Sequence, residues 1–115
     1  MGTKKANRSA NRNITIARRE RNTGVLFSEE ALSKISDGEE IKYIKLSFKG
    51  GRMYFARGLK TSLTEFKIIA NHINGKIAGR RTIRIPYCEL PYGDYNLQQF
   101  DEDEGLYFID ENDRI

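Results

Sequence analysis

Residues 41–57 of this 115-residue chain alternate apolar and polar side chains on either side of Gly50-Gly51, and no other stretch constrains the fold as tightly. A two-residue type I′ turn needs positive φ at both central positions, which glycine adopts without steric cost. The pattern predicts a β-hairpin with Lys49 opposite Arg52, Phe48 opposite Met53 and Leu46 opposite Phe55. That register gathers Ile44, Leu46, Phe48, Met53 and Phe55 on one face, whereas a slip of one residue would move them to the other. The opposite face then carries Tyr43, Lys45, Ser47, Lys49, Arg52, Tyr54 and Ala56.

Elements on both sides of the hairpin can be placed from their caps and periods. A short helix is expected over Glu29–Ile35, with Ser28 capping the free N–H groups, Glu29 and Glu30 at the positive end of the dipole, and Gly38 as the stop. A second helix is expected from about Leu63 to Asn74, because Ser62-Leu63-Thr64-Glu65 has capping-box form. Leu63, Phe66, Ile69, Ala70 and Ile73 would make its buried stripe, with Gly75 as a left-handed stop. Lys76–Tyr87 reads as a strand with Ile77, Ile83 and Ile85 on one face and Arg80, Thr82 and Arg84 on the other, interrupted by Arg81 on the apolar side. A last hairpin is expected from Tyr95–Phe100 and Leu106–Ile109, turning through Asp101–Gly105. The fold class is α+β: a small, mainly antiparallel sheet of about five strands, two helices and a disordered basic N-terminal arm.

Charge is sorted along the chain. Residues 1–24 hold seven Lys/Arg and one acid, residues 25–93 twelve basic and seven acidic side chains, and residues 94–115 one base and eight acids, for an overall +4. The first segment lacks an apolar period and reads as a flexible basic arm, followed by a single domain over 25–115 that ends in an acidic hairpin. That domain can bury one small core without a disulfide or a metal. Cys88 is the only cysteine, so no internal disulfide can form, and no apolar run is long enough to span a membrane. A cytoplasmic protein is expected, with no membrane partner.

A basic arm beside a cationic, tyrosine-bearing sheet face suits a polyanion. Lysine and arginine supply the salt-sensitive phosphate term, and aromatic rings offer surfaces on which unpaired bases stack. The candidate nucleic-acid-binding residues are Arg8, Arg12, Arg18, Arg19 and Arg21 in the arm, Tyr43, Lys45, Lys49, Arg52 and Tyr54 on the hairpin, and Arg80 and Arg84 on the later strand. DNA is favoured over RNA, in a regulatory or accessory role without catalysis. Solvated antiparallel sheets also alternate polar and apolar residues for purely structural reasons, so the face by itself is weakly specific.

The run Gly79-Arg80-Arg81-Thr82-Ile83-Arg84-Ile85-Pro86, with Gly93-Asp94 and the alternating strands beyond it, resembles the glycine, arginine and Ile-Pro element of swapped-hairpin AbrB-type DNA-binding regulators. Cys88–Tyr92 stands where that family continues as a helix, and the resemblance does not assign the chain to it. It implies a strand-swapped dimer that presents Arg80, Arg81 and Arg84 to DNA. A homodimer is also compatible with the exposed edges of a small sheet.

Catalytic and metal chemistry find little footing. His72, expected on an exposed helix face, and Cys88 are separated by a strand, and one Cys with one His cannot complete a structural zinc site. Gly50-Gly51 lacks the lysine and the strand-to-helix context of a phosphate loop, and the acidic turn lacks calcium-loop spacing. No catalytic residue, metal or cofactor is expected. The alternative to nucleic-acid binding is a protein-binding adaptor or inhibitor, of a type suited to a phage or mobile element, acting through Asp101, Glu102, Asp103 and Glu104.

Overall fold

The computed structural model describes the backbone of residues 13–100 and 105–115, and every side chain among them except those at 13, 71–73 and 76–79. In chain order the elements are β1 (Asn13–Arg18), β2 (Thr23–Phe27), α1 (Glu29–Ser36), β3 (Tyr43–Lys49), β4 (Arg52–Gly58), β5 (Glu65–Lys67), β6 (Ile69–Ile73), β7 (Lys76–Ile85), β8 (Gly93–Asn96), β9 (Gln98–Gln99) and β10 (Tyr107–Asp110), closed by a 3-10 turn over Glu111–Asp113. They build two antiparallel five-stranded sheets, β6-β7-β2-β1-β8 and β5-β3-β4-β10-β9. The α+β class holds, but there are two sheets where one is expected from the sequence, and one α-helix among the described residues where two are expected.

The hairpin forms in the expected register, with Lys49 opposite Arg52, Phe48 opposite Met53 and Leu46 opposite Phe55. Gly50 and Gly51 have φ of 60° and 80°, as the turn requires. Helix α1 also forms as expected. The Ala31 N–H donates to the Ser28 hydroxyl at 3.1 Å. At the other end Asp37 turns left-handed, and the Gly38 N–H closes the helix on the Ser33 carbonyl at 2.9 Å.

The inner faces of the two sheets share one core. Ile14, Ile16, Val25, Phe27, Ile83, Ile85 and Tyr95 from the first sheet meet Ile44, Leu46, Met53, Phe55 and Ile109 from the second, and α1 adds Ala31 and Ile35. Phe27 and Phe55 join the layers edge to face, with ring centroids 5.6 Å apart. Each large side chain fully buried in this way contributes about 1.5–3 kcal/mol.

The N-terminal boundary of the fold departs from the sequence expectation. Residues 13–24, expected in the arm, form β1 and the start of β2 at the centre of the first sheet, with Ile14 and Ile16 buried. Two inward isoleucines at strand spacing suffice to anchor β1, and the charges concentrate in its turn, where the Arg19 N–H donates to the Asn22 carbonyl at 2.9 Å. Residues 1–12 of the arm lie outside the described residues.

The second helix is not formed, and 63–74 instead contribute β5 and β6. Asn74-Gly75, expected to stop a helix, is a hairpin turn with φ of 54° and 78° between β6 and β7. Leu63, expected in a buried stripe, is exposed, and so is Ile69. His72 lies opposite Ile77 on β6 rather than on a helix. The side chains of His72, Ile73 and Ile77 are outside the described set.

The last hairpin is also split. β8 pairs with β1 in the first sheet, and only β9 pairs with β10 in the second, so the chain changes sheets at Leu97. The segment 86–92 is irregular, and the Tyr95 hydroxyl donates to the Pro91 carbonyl beneath it.

Candidate nucleic-acid interface

The outer face of the second sheet is set by the same alternation that builds its core. Along β3 and β4, Tyr43, Lys45, Ser47 and Lys49 stand beside Arg52, Tyr54 and Ala56, because their neighbours Ile44, Leu46, Met53 and Phe55 turn inward. Strand β10 adds Phe108 opposite Tyr54 and Asp110 opposite Arg52. Strand β5 adds Glu65 opposite Lys45 and Lys67 opposite Tyr43. From the Lys49–Arg52 end to the Tyr43–Gly58 end this surface runs about 20 Å.

Its centre is aromatic. The Tyr54 ring lies 5.8 Å from Phe100 and 5.7 Å from Phe108, centroid to centroid, and Phe100 and Phe108 meet edge to face at 6.5 Å. All three side chains are half-buried, so each keeps a wet surface. The Arg52 guanidinium sits 4.1 Å over the Phe108 ring and 3.5 Å from the Asp110 carboxylate. A side-chain hydrogen bond with Tyr54 raises the Arg52 pKa above its ordinary value, and Asp110 adds to this against a cost of desolvation. The guanidinium is thereby held against the aromatic cluster at the Lys49 end of the face.

The remaining sequence candidates do not join this face. Arg80 and Arg84 project from the outer face of the first sheet, across the core from Tyr54. Arg80 donates to the Thr15 hydroxyl, which donates in turn to Asp94. Arg19 lies over Gly24 on that same face, and Arg84 is paired with Gly24. Arg18 and Arg21 are exposed at the β1–β2 turn. Arg81, opposite the buried Phe27, alternates to the inner side and lines an open cleft of about 480 Å³ with Glu29 and Ile41. Arg81 therefore does not share the face of Arg80 and Arg84, contrary to what the resemblance to the swapped-hairpin regulators implies.

Arg8, Arg12, Asp101, Glu102, Asp103 and Glu104 lie outside the described residues. Phe100 and Phe108 are not among the sequence candidates. Their contribution to the face depends on β10 docking beside β4, a long-range pairing that leaves no local signal.

Comparison with protein-family models, curated proteins and solved structures finds no match. Among the described residues no three His, Cys, Asp or Glu side chains gather as a metal site, and no helix is long and apolar enough to cross a membrane. Burial, foremost, pushes the Cys88 thiol above its ordinary pKa, the opposite of what an activated nucleophile needs.

Proposed function

We propose that this chain is a non-enzymatic nucleic-acid-binding protein, regulatory or accessory in role, that holds a single strand on the outer face of its second sheet, DNA ahead of RNA. One observation carries the reading: Lys45, Lys49, Arg52 and Lys67 share an open sheet face with the rings of Tyr54, Phe100 and Phe108. Cations that track a backbone and rings that accept bases are the two ingredients of sequence-tolerant single-strand binding. The two carboxylates on the face, Glu65 and Asp110, are occupied by backbone N–H groups and by Arg52 respectively.

The test is an anisotropy titration of the full chain against single- and double-stranded DNA and RNA at several salt concentrations. Tyr54→Ala should weaken single-strand binding by roughly 1–3 kcal/mol, and Lys49→Ala should weaken every nucleic acid and flatten the salt slope by about one unit. Melting curves of both variants separate impaired binding from impaired folding. If the wild type binds none of the four at low salt, the proposal fails, and the protein-binding reading through the acidic run takes its place.

A further inference from the structure

Strands β4 and β5 both run antiparallel to β3 from its two sides, so they are parallel to each other and the chain must cross β3 between them. β4 ends at Gly58 opposite Tyr43, and β5 begins at Glu65 opposite Lys45. The inner side is filled by core, and Glu65 shares the outer side with Lys45. Its carboxylate accepts the Leu59 N–H at 2.6 Å, which puts residues 59–64 over the outer face at its Tyr43 end. The same aromatic and basic surface thus has a raised rim at one end.

The rim is locked and apolar. The Glu65 carboxylate also accepts from Lys60 N–H at 3.4 Å and from the Ser62 hydroxyl at 3.1 Å. Ser62 Oγ accepts the N–H groups of Thr64 and Glu65, and the Thr64 carbonyl accepts the Leu46 N–H at 2.8 Å. This ordered loop holds Leu59 and Leu63 in solvent at 87% and 96% exposure, the two most exposed large hydrophobic side chains among the described residues. Lys60 lies between them in sequence, and Lys45 and Lys67 stand at the foot of the loop.

We infer that residues 59–64 form the end-stop of the binding face: Leu59 and Leu63 pack against the last unstacked base of a single strand lying along the sheet, with Lys60 at the adjoining phosphate. The inference rests on the reading given under Proposed function. Apolar side chains hold unstacked bases by surface burial, and fixing the loop before binding removes the entropy cost of ordering it afterwards. The surrounding cations favour a polyanion as the occupant.

The double variant Leu59→Ser/Leu63→Ser tests it in the full chain, since removing side chains this exposed leaves the melting temperature essentially unchanged. With fluorescein-labelled oligothymidylate as the probe, affinity should fall about tenfold while the salt slope stays as in the wild type, because the substitutions remove apolar area and leave the phosphate-binding cations in place. Equal affinity of variant and wild type overturns the end-stop and leaves the underlying reading in place. Absence of wild-type binding overturns both. Two further measurements on the same pair decide against the inference if positive: wild type, but not variant, sedimenting with phosphatidylserine vesicles would assign the leucines to a bilayer. A dimer in sedimentation velocity that the variant does not form would assign them to a second copy of the chain.

Discussion

Two glycines show how the same substitution can have different costs in this fold. A Cβ added at Gly58 would stand 3.0 Å from Tyr43 Cβ and 3.1 Å from the Tyr43 carbonyl carbon, and backbone cannot move aside. A Cβ at Gly24 would stand 2.8 Å from Arg19 Nε, the far end of a flexible side chain. Gly58→Ala should therefore cost about 1–3 kcal/mol in urea denaturation. Gly24→Ala should stay within about 0.5 kcal/mol. Sequence alone does not separate the two, because the difference lies in which neighbour each glycine faces across a strand pair. The roles of Gly50 and Gly51 are legible in the sequence, since they depend only on φ and on the alternation beside them. Tyr43, Lys45, Lys49, Arg52 and Tyr54 can likewise be placed on one face from alternation alone, whereas Phe100 and Phe108 cannot.

At the scale of elements, sequence and structure part most clearly over 62–74. The capping chemistry there is real: the Ser62 hydroxyl accepts the Glu65 N–H at 3.1 Å, as at a helix start. The Glu65 carboxylate, however, reaches Leu59 and Lys60 rather than the Ser62 N–H, and the motif closes a loop. Ile68, Ile69 and Ile73 are β-branched, and Asn74-Gly75 is a strong hairpin signal, so strand propensity and turn chemistry agree against the helical period. The loop contacts make a prediction about acid. Hydrogen bonding from the Leu59 N–H, foremost, and from Lys60 and Ser62 holds the Glu65 carboxyl below the usual carboxylate range, outweighing desolvation. A depressed folded pKa means that the stabilising effect is full above the unfolded value of about 4.3 and disappears as pH falls through the lower folded one. Protection of the Leu59 and Lys60 amides, measured against the intrinsic exchange rate at each pH, should be full at neutral pH and fall away as pH drops through the depressed folded pKa. In Glu65→Gln, whose amide oxygen still accepts, that pH-dependent loss of protection should be absent.

For the whole molecule, the sorted charge is legible in the sequence but its structural boundary is not. The described core begins at Ile14, so the basic segment divides into residues 1–12 and a strand that belongs to the first sheet. Deleting residues 1–12 should preserve a single cooperative melt and lower the salt slope of nucleic-acid binding by about one unit for each phosphate that the shortened chain no longer neutralises. Deleting residues 1–22 removes β1 from between β2 and β8 and should abolish the cooperative transition, as circular dichroism melting would record. Two sheets sharing one core cannot be read from the sequence because both inward faces are isoleucine-bearing apolar stripes, and nothing local tells an isoleucine which layer it will meet. The pairing of β1 with β8 also sets an order of events during synthesis. Residues 13–16 wait for residues 93–96, so on a translating ribosome the unpaired edge of β1 stays open until most of the chain has emerged. A nascent chain stalled short of Gly93 would carry that edge into solution, where a neighbouring copy on the same polysome offers the nearest strand to close it.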